Sequence, residues 1–204
     1  MQWREQIAAD KTRRFENEAY WGKPVPSFGP VDARLLIVGL APAAHGANRT
    51  GRMFTGDRSG DWLYRALHRF GFANQPHSSH LADGLQLLDC YITAVIHCAP
   101  PLNRPSGSEI SQCSTYLHSE WQTLKKTKVV VALGRVAFDS VLRLQVRSKP
   151  APRKPTFRHG LEVSLEGRML LASFHPSQQN TFTGRLTEEM FDSIFRRARQ
   201  ILRD

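Results

Sequence analysis

The chain has 204 residues, 41% of them hydrophobic, so it can form one domain with a buried core and is too apolar for a disordered chain. No apolar stretch approaches the roughly 20 residues that cross a bilayer, and no secretory signal follows Met1. We therefore expect an intracellular, cytoplasmic protein without membrane association. The formal net charge of +10 favours a nucleic-acid partner, although solubility alone would also explain it.

The elements are predicted in chain order from hydrophobic spacing. Residues 3–20 predict an exposed helix, with Trp3, Ile7 and Phe15 on its apolar side, and a connector rich in proline and glycine follows at Gly22–Pro30. Short β-branched runs predict strands at Leu35–Gly39, Tyr91–Ile96 and Val129–Gly134, with further strands near 161–165 and 169–173. Helices are predicted at Gly60–Phe70, at 108–124, after Gly134, and at Thr187–Leu202, where Thr187 is the expected N-cap. The basic segment Arg147–Arg158 predicts a solvated loop.

Strands that alternate with helices predict an α/β fold in which helices cover both faces of a parallel sheet. Ligands of such sheets bind beyond the carboxyl ends of the strands. Polar and glycine-rich sequences follow Gly39, Ile96 and Ser173, so we expect one site at that edge. The chain has no internal repeat, and we expect a single domain over 1–204, in which 1–30 form the first helix and the connector.

The loop after the first strand, residues 40–59, is rich in glycine and small residues whose backbone can approach a ligand closely. It matches neither the dinucleotide fingerprint nor the phosphate-binding loop, and a long surface turn is the alternative interpretation. Its sequence Gly-Leu-Ala-Pro-Ala, continued by Asn-Arg-Thr-Gly-Arg-Met-Phe-Thr-Gly-Asp, resembles the first motif of the type-5 (family B) uracil-DNA glycosylases. The resemblance extends in the same order through 88–93, 98–101, 129–134 and 175–186.

This resemblance implies a three-layer α/β/α sandwich around a mainly parallel, four-stranded sheet. It also implies a monofunctional enzyme that hydrolyses the N-glycosidic bond of uracil in DNA and so initiates base excision repair. The expected partner is uracil-containing DNA, single- or double-stranded, and the expected state is a monomer associated with the nucleoid.

The resemblance also implies roles for individual residues. Phe54 is the expected stacking ring for a base flipped out of the helix, and His175 is expected to hydrogen-bond uracil O2 and stabilise the leaving anion. A ring packed in the core and a structural histidine are the alternatives. Ser177 and Asn180 are expected to hold flanking phosphates. The substrate is further expected to contact the backbone at two positions of the first motif, Gly39 and Ala41.

The residue that activates water is less clearly marked. Other uracil glycosylases carry an acid in the first motif, where this chain has Leu40 and Ala41. Asp57, later in the loop, is the expected base and Asp61 is its rival; a helix cap is the alternative role for Asp57.

Substrate selection involves the second strand and the loop after it. Ala94 stands where more selective glycosylases read uracil with asparagine, so tolerance of other deaminated bases is expected. Asn103 is a candidate contact for the base or the water, with an ordinary loop residue as the alternative.

Three cysteines argue against a disulfide framework. The resemblance implies a [4Fe–4S] cluster on four cysteines, of which Cys98 and Cys113 match the second pair, while Cys90 is expected in the core. The first pair would precede Trp3 and is absent from this chain. Either the true start lies upstream, which we favour because both remaining ligands persist, or the cluster has been lost.

Two other functions stay open at this point. A DNA-binding module of the same fold that no longer cleaves is favoured by the missing acid and cysteines. A nucleotide- or cofactor-binding α/β enzyme unrelated to repair is disfavoured because the chain has no dinucleotide fingerprint.

Overall fold

A computed structural model describes residues 2–145 and 155–203 of the chain. Its central sheet has strands β1 (Leu35–Gly39), β2 (Cys90–Ala94), β3 (Val129–Leu133), β4 (Glu162–Leu165) and β5 (Arg168–Ser173). The strand order is β2-β1-β3-β5-β4. Strands β2, β1, β3 and β5 run parallel, and β4 pairs with β5 in the antiparallel direction. The long β-branched runs are therefore the parallel core of the sheet, as predicted.

The sheet contains one strand more than the four that the resemblance implied. The additional strand is β4, which lies at the edge and forms a hairpin with β5. The turn between them contains Gly167 at a φ of 72°, a left-handed conformation that glycine adopts without strain. The four parallel strands account for the predicted sheet, and β4 extends it.

Helices cover both faces of the sheet. They are α1 (Gln2–Asp10), α2 (Ala47–Thr50), α3 (Arg58–Arg69), α4 (Gly107–Thr123), α5 (Arg135–Gln145), α6 (Gln178–Phe182) and α7 (Glu188–Ile201), with 3₁₀ turns at Arg13–Phe15 and Pro101–Asn103. None of the described helices is both long and apolar enough to span a bilayer.

Alternation along β1 divides the core into two apolar clusters. Leu35 and Ile37 pack with residues of α3 and α7, whereas Leu36 and Val38 pack with residues of α4 and α5. Successive side chains of a strand point to opposite faces, so a strand that is apolar at every position supports a helical layer on each side. The three-layer α/β/α architecture is therefore as predicted.

The N-terminal helix is shorter than predicted. Helix α1 ends at Asp10 because Lys11 adopts a φ of 52°, which an α-helix cannot continue through, and Phe15 lies in the following 3₁₀ turn. At the other end of the chain, Thr187 caps α7 as predicted, since its Oγ1 accepts a hydrogen bond from the Met190 N–H at 3.2 Å. Of the predicted loop Arg147–Arg158, residues 147–154 lie outside the described residues.

Candidate active site

A cavity of about 590 Å³ lies at the carboxyl edge of the sheet, where the loops after β1, β2 and β5 meet. Six of the predicted site residues line it: Ala41, Phe54, Asp57, Asn103, His175 and Ser177. The cavity therefore brings together side chains that are separated by more than a hundred positions in the sequence. Its volume falls in the range of ordinary small-molecule sites.

Phe54 is held in place by its backbone and by the glycine beneath it. Its φ is 54°, an uncommon conformation for a residue with a bulky side chain. The carbonyl of the preceding residue, Met53, accepts a hydrogen bond from the Tyr64 hydroxyl at 2.6 Å. A Cβ atom at Gly39 would lie 2.7 Å from Cζ of the Phe54 ring. Gly39 is therefore the floor on which this ring rests, and a larger residue there would displace it.

His175 lies beside Phe54 in the lining of the cavity. The two ring centroids are 6.1 Å apart and the ring planes differ by 29°. Burial lowers the pKa of His175 to about 4, so its imidazole is neutral near pH 7. A neutral imidazole keeps one N–H that can donate a hydrogen bond, and it adds no charge to the pocket.

Ser177 and Asn180 fix the turn that follows His175. The Asn180 side-chain amide donates to the His175 carbonyl at 2.8 Å, and Ser177 Oγ accepts from the Asn180 N–H at 3.4 Å as the N-cap of α6. Ser177 lines the cavity, whereas Asn180 and Gly39 are not among the residues that line it. The phosphate contacts expected of Ser177 and Asn180 stay a prediction beside these structural bonds.

Asp57 both caps a helix and lines the cavity. Its Oδ1 accepts a hydrogen bond from the Gly60 N–H at 3.1 Å, so it is the N-cap of α3. Oδ2 lies against Gly46, where a Cβ atom would collide with it. Burial raises the pKa of Asp57, and the nearby Asp61 carboxylate adds to this effect. The rival Asp61 is exposed in the first turn of α3 and does not line this cavity.

The loop after β2 ends in a strained turn at the cavity mouth. Leu102 and Asn103 both adopt left-handed backbone, with φ of 51° and 55°. Asn103 lines the cavity, while Leu102 is 81% exposed. Ala94, at the end of β2, pairs in register with Gly39 and is buried. It therefore brings no polar group to the floor of the site.

A buried ion pair beneath the first motif was not predicted. Arg52 is 3% exposed, and its Nη2 lies 2.5 Å from Asp83 Oδ2. Arg52 Nε also donates to Thr55 Oγ1 at 3.2 Å, and Thr55 Oγ1 bonds to Ser78 Oγ at 2.6 Å. The network ties both sides of the Phe54 turn to the loop before β2. Little in the sequence indicates this ion pair, because Asp83 lies 31 positions after Arg52 and nothing local links the two.

The two cysteines expected to bind a cluster, Cys98 and Cys113, lie in the loop after β2 and in α4. Cys98 is half-buried, and its Sγ accepts a hydrogen bond from Arg4 Nη1 at 3.0 Å; Cys113 is buried in α4 and Cys90 in β2. Among the described residues, no group of three or more histidine, cysteine, aspartate or glutamate side chains could hold a metal ion. A [4Fe–4S] cluster needs four thiolates and the chain has three cysteines, so these residues do not fit it.

Comparison with known proteins agrees with this geometry. The model of the uracil DNA glycosylase superfamily matches residues 26–199. The type-5 uracil-DNA glycosylase of Mycobacterium leprae (strain TN) is 55% identical over 201 residues, which are 98% of this chain and 87% of that protein. The type-5 enzyme of Thermus thermophilus is 46% identical over 98% of this chain and 89% of its own length. A type-4 enzyme from Pyrobaculum aerophilum is 32% identical over 63% of this chain.

Proposed function

The chain belongs to the uracil-DNA glycosylase superfamily, and from this membership we propose that it is a monofunctional type-5 uracil-DNA glycosylase. It hydrolyses the bond between uracil and deoxyribose in DNA and so begins base excision repair. The observation that carries the proposal is that Phe54 and His175 lie side by side in the lining of a cavity at the carboxyl edge of the sheet. Because its substrate is chromosomal DNA, we expect the protein in the cytoplasm beside the nucleoid.

Cleavage of the glycosidic bond requires that the base leave as an anion while positive charge develops on the sugar. A flipped uracil that stacks on Phe54 has its edge toward His175. With a pKa of about 4, about one His175 ring in a thousand is protonated at pH 7, so a neutral N–H donates to uracil O2. This bond strengthens as the negative charge builds, which lowers the barrier rather than the energy of the bound substrate.

Asp57 is the group proposed to take the proton from the attacking water. The Gly60 N–H donates to Oδ1, and Asp57 lines the cavity, so a water molecule in the cavity can reach this carboxylate. A pKa raised by burial makes an ionised carboxylate a stronger base. The cap on α3 orients the carboxylate at the same time, so the structural role and the proposed chemical role are compatible.

The base specificity is proposed to be broad among deaminated bases. Ala94 and Gly39, neighbours in the sheet register, offer no side chain that could read the base edge. A pocket without a polar side chain that hydrogen-bonds the base edge discriminates weakly between uracil and other deaminated bases. Asn103, at the cavity mouth, is the remaining candidate for a polar contact with base or water.

The distribution of charge supports DNA as the partner. On α3 and α7, arginines pair with carboxylates, as in Arg65 with Glu188 and Arg196 with Glu189. Beside the cavity, exposed Arg58 has no carboxylate within ion-pair distance among the described residues. Cations without an internal partner are available to phosphates, so binding should weaken steeply with salt.

Treatment of a single-uracil oligonucleotide with the protein and then alkali tests the proposal. Strand breakage at uracil, and none in the matched thymine oligonucleotide, is the expected result. Retention of the DNA without breakage would instead support the catalytically inactive DNA-binding module. Single- and double-stranded substrates are assayed in parallel, because both are expected partners, and sedimentation of the free protein tests the expected monomer.

The iron–sulfur cluster is tested separately. The three cysteines of this sequence are fewer than the four thiolates that such a cluster needs, and the roles proposed for Phe54, Asp57 and His175 do not involve a cluster. The two alternatives drawn from the family resemblance predict different iron contents once the chain is extended upstream and purified without oxygen. Four irons and four sulfides per chain would support a start upstream, with Cys98 and Cys113 as two of the ligands, and absence of iron would favour loss of the cluster.

A further inference from the structure

A second cavity continues from the first on the far side of Asp57. Its volume is about 700 Å³. Both cavities are lined by the same five residues: Ala43, Asp57, Arg58, Asn103 and Gln178. The two cavities therefore form one groove. The proposed uracil pocket lies at one end, Asp57 lies in the middle, and the 3₁₀ turn with Arg14 and Phe15 forms the wall of the other end.

This wall is fixed to the first motif by aromatic and ionic contacts. The Arg49 guanidinium lies 4.1 Å from the centroid of the Phe15 ring, and the His45 ring lies 6.5 Å from it. Arg49 also forms an ion pair with Glu18, and the Tyr20 hydroxyl lies 2.9 Å from Nδ1 of His45. The turn thus has a defined position on the groove, although α1 ends before it.

The groove wall carries cations that the protein itself does not neutralise. Arg14 and Arg58 are exposed. Among the described residues, Arg14 lies over the ring of Phe15 and Arg58 lies over the ring of Phe182. The carboxylate of Asp61 lies on the same wall. Exposed guanidinium groups spaced along a groove, beside an aromatic side chain, are typical of surfaces that follow a nucleic-acid backbone.

We propose that this second cavity is a strand-binding subsite, which takes the nucleotides on one flank of the flipped nucleotide and holds a phosphate of that flank with Arg14. The inference rests on the proposed function, because it needs a DNA strand that enters the groove at the uracil pocket. Arg14 and Phe15 precede the region 26–199 that matches the superfamily model, whereas the other residues that line the second cavity lie within it.

The test is a length series of single-stranded oligonucleotides with one uncleavable 2′-fluorinated deoxyuridine, extended one nucleotide at a time on the 5′ or the 3′ flank. The affinity of the wild-type protein should rise in one step as one of the two flanks is lengthened, at the length where the added phosphate reaches Arg14. The variant Arg14→Gln should lose that step, by on the order of tenfold at 0.1 M salt, and the log–log salt slope should fall by about 0.7, the value for one phosphate of a single strand. Arg13→Gln is the matched control, since Arg13 is exposed in the same turn but does not line the groove.

Equal length dependence in the Arg14→Gln and Arg13→Gln variants would overturn the subsite, as would wild-type affinity that rises on neither flank. Thermal unfolding of both variants checks that the turn remains folded. Cleavage of the matching deoxyuridine substrate is measured alongside. Absence of cleavage with an intact length step would refute the glycosylase proposal alone, and cleavage without the step would refute the subsite alone.

Discussion

The Asp57→Asn variant separates the helix cap from the proposed base. Asparagine is as good an N-cap as aspartate, so the bond to the Gly60 N–H is kept and the free energy of unfolding should change by only a few tenths of a kcal/mol. An amide cannot take a proton from water, so the rate of uracil release should fall about 10²- to 10⁴-fold. The Asp57→Ala variant loses the cap as well, which costs about 1 kcal/mol, or roughly 2–4 °C in the midpoint of thermal unfolding.

The assay is single-turnover release of uracil with enzyme in excess, combined with thermal unfolding of each variant. The wild-type rate should rise with pH through the raised pKa of Asp57 and then level off, because the base acts in its ionised form. The profile of Asp57→Asn should be flat over the same range. An Asp57→Asn rate close to that of the wild type would refute the base, and would leave Asp57 as a cap alone.

Three further predictions use other features of the site. In an NMR titration, His175 should stay neutral down to about pH 5, and a midpoint near 6.5 would contradict this. The free energy of unfolding should decline as the pH falls from about 6.5 towards 4, because His175 binds a proton in the unfolded chain at a higher pH than in the folded protein. Gly46→Ala should push Asp57 Oδ2 from its place and slow uracil release about 10²-fold, whereas Gly107→Ala, which adds a methyl group in open space, should leave the rate unchanged; equal rates would show that the carboxylate position is not critical. Leu102→Ala should reduce activity on double-stranded more than on single-stranded substrate, since an exposed apolar side chain at the cavity mouth is suited to wedge between base pairs; equal losses would exclude that role.

The sheet could be predicted from the sequence because its physical signal is local. Runs such as Val129–Leu133 are β-branched and apolar throughout, and only a strand covered on both faces satisfies such a run. The N-terminal helix was predicted too long because it ends where Lys11 adopts a left-handed backbone conformation. Lysine is a common helix residue, so its presence in the sequence does not indicate a helix end. A strand near 161–165 was predicted, but the four-stranded sheet implied by the family resemblance did not include β4, which joins the edge of the sheet through its hairpin with β5.

The place of the candidate site could be predicted because the loops that carry Phe54 and His175 follow β1 and β5, whose carboxyl ends lie at one edge of the sheet. The roles of these two residues come from the family resemblance and stay predictions. The Arg52–Asp83 ion pair was missed because a buried charge and its partner are recognisable only when both are placed. The second cavity was missed for a related reason: its wall comes from a turn that the helical pattern of residues 3–20 concealed.

The most direct test of the account is the single-turnover rate of uracil release by His175→Ala, compared with Cys90→Ala. His175 supplies the proposed hydrogen bond to the leaving base, so its loss should slow release about 10²- to 10³-fold. Cys90 is buried in β2 away from the cavity, and its replacement should leave the rate close to that of the wild type. Equal effects of the two substitutions would contradict the role of His175 and, with it, the proposed mechanism.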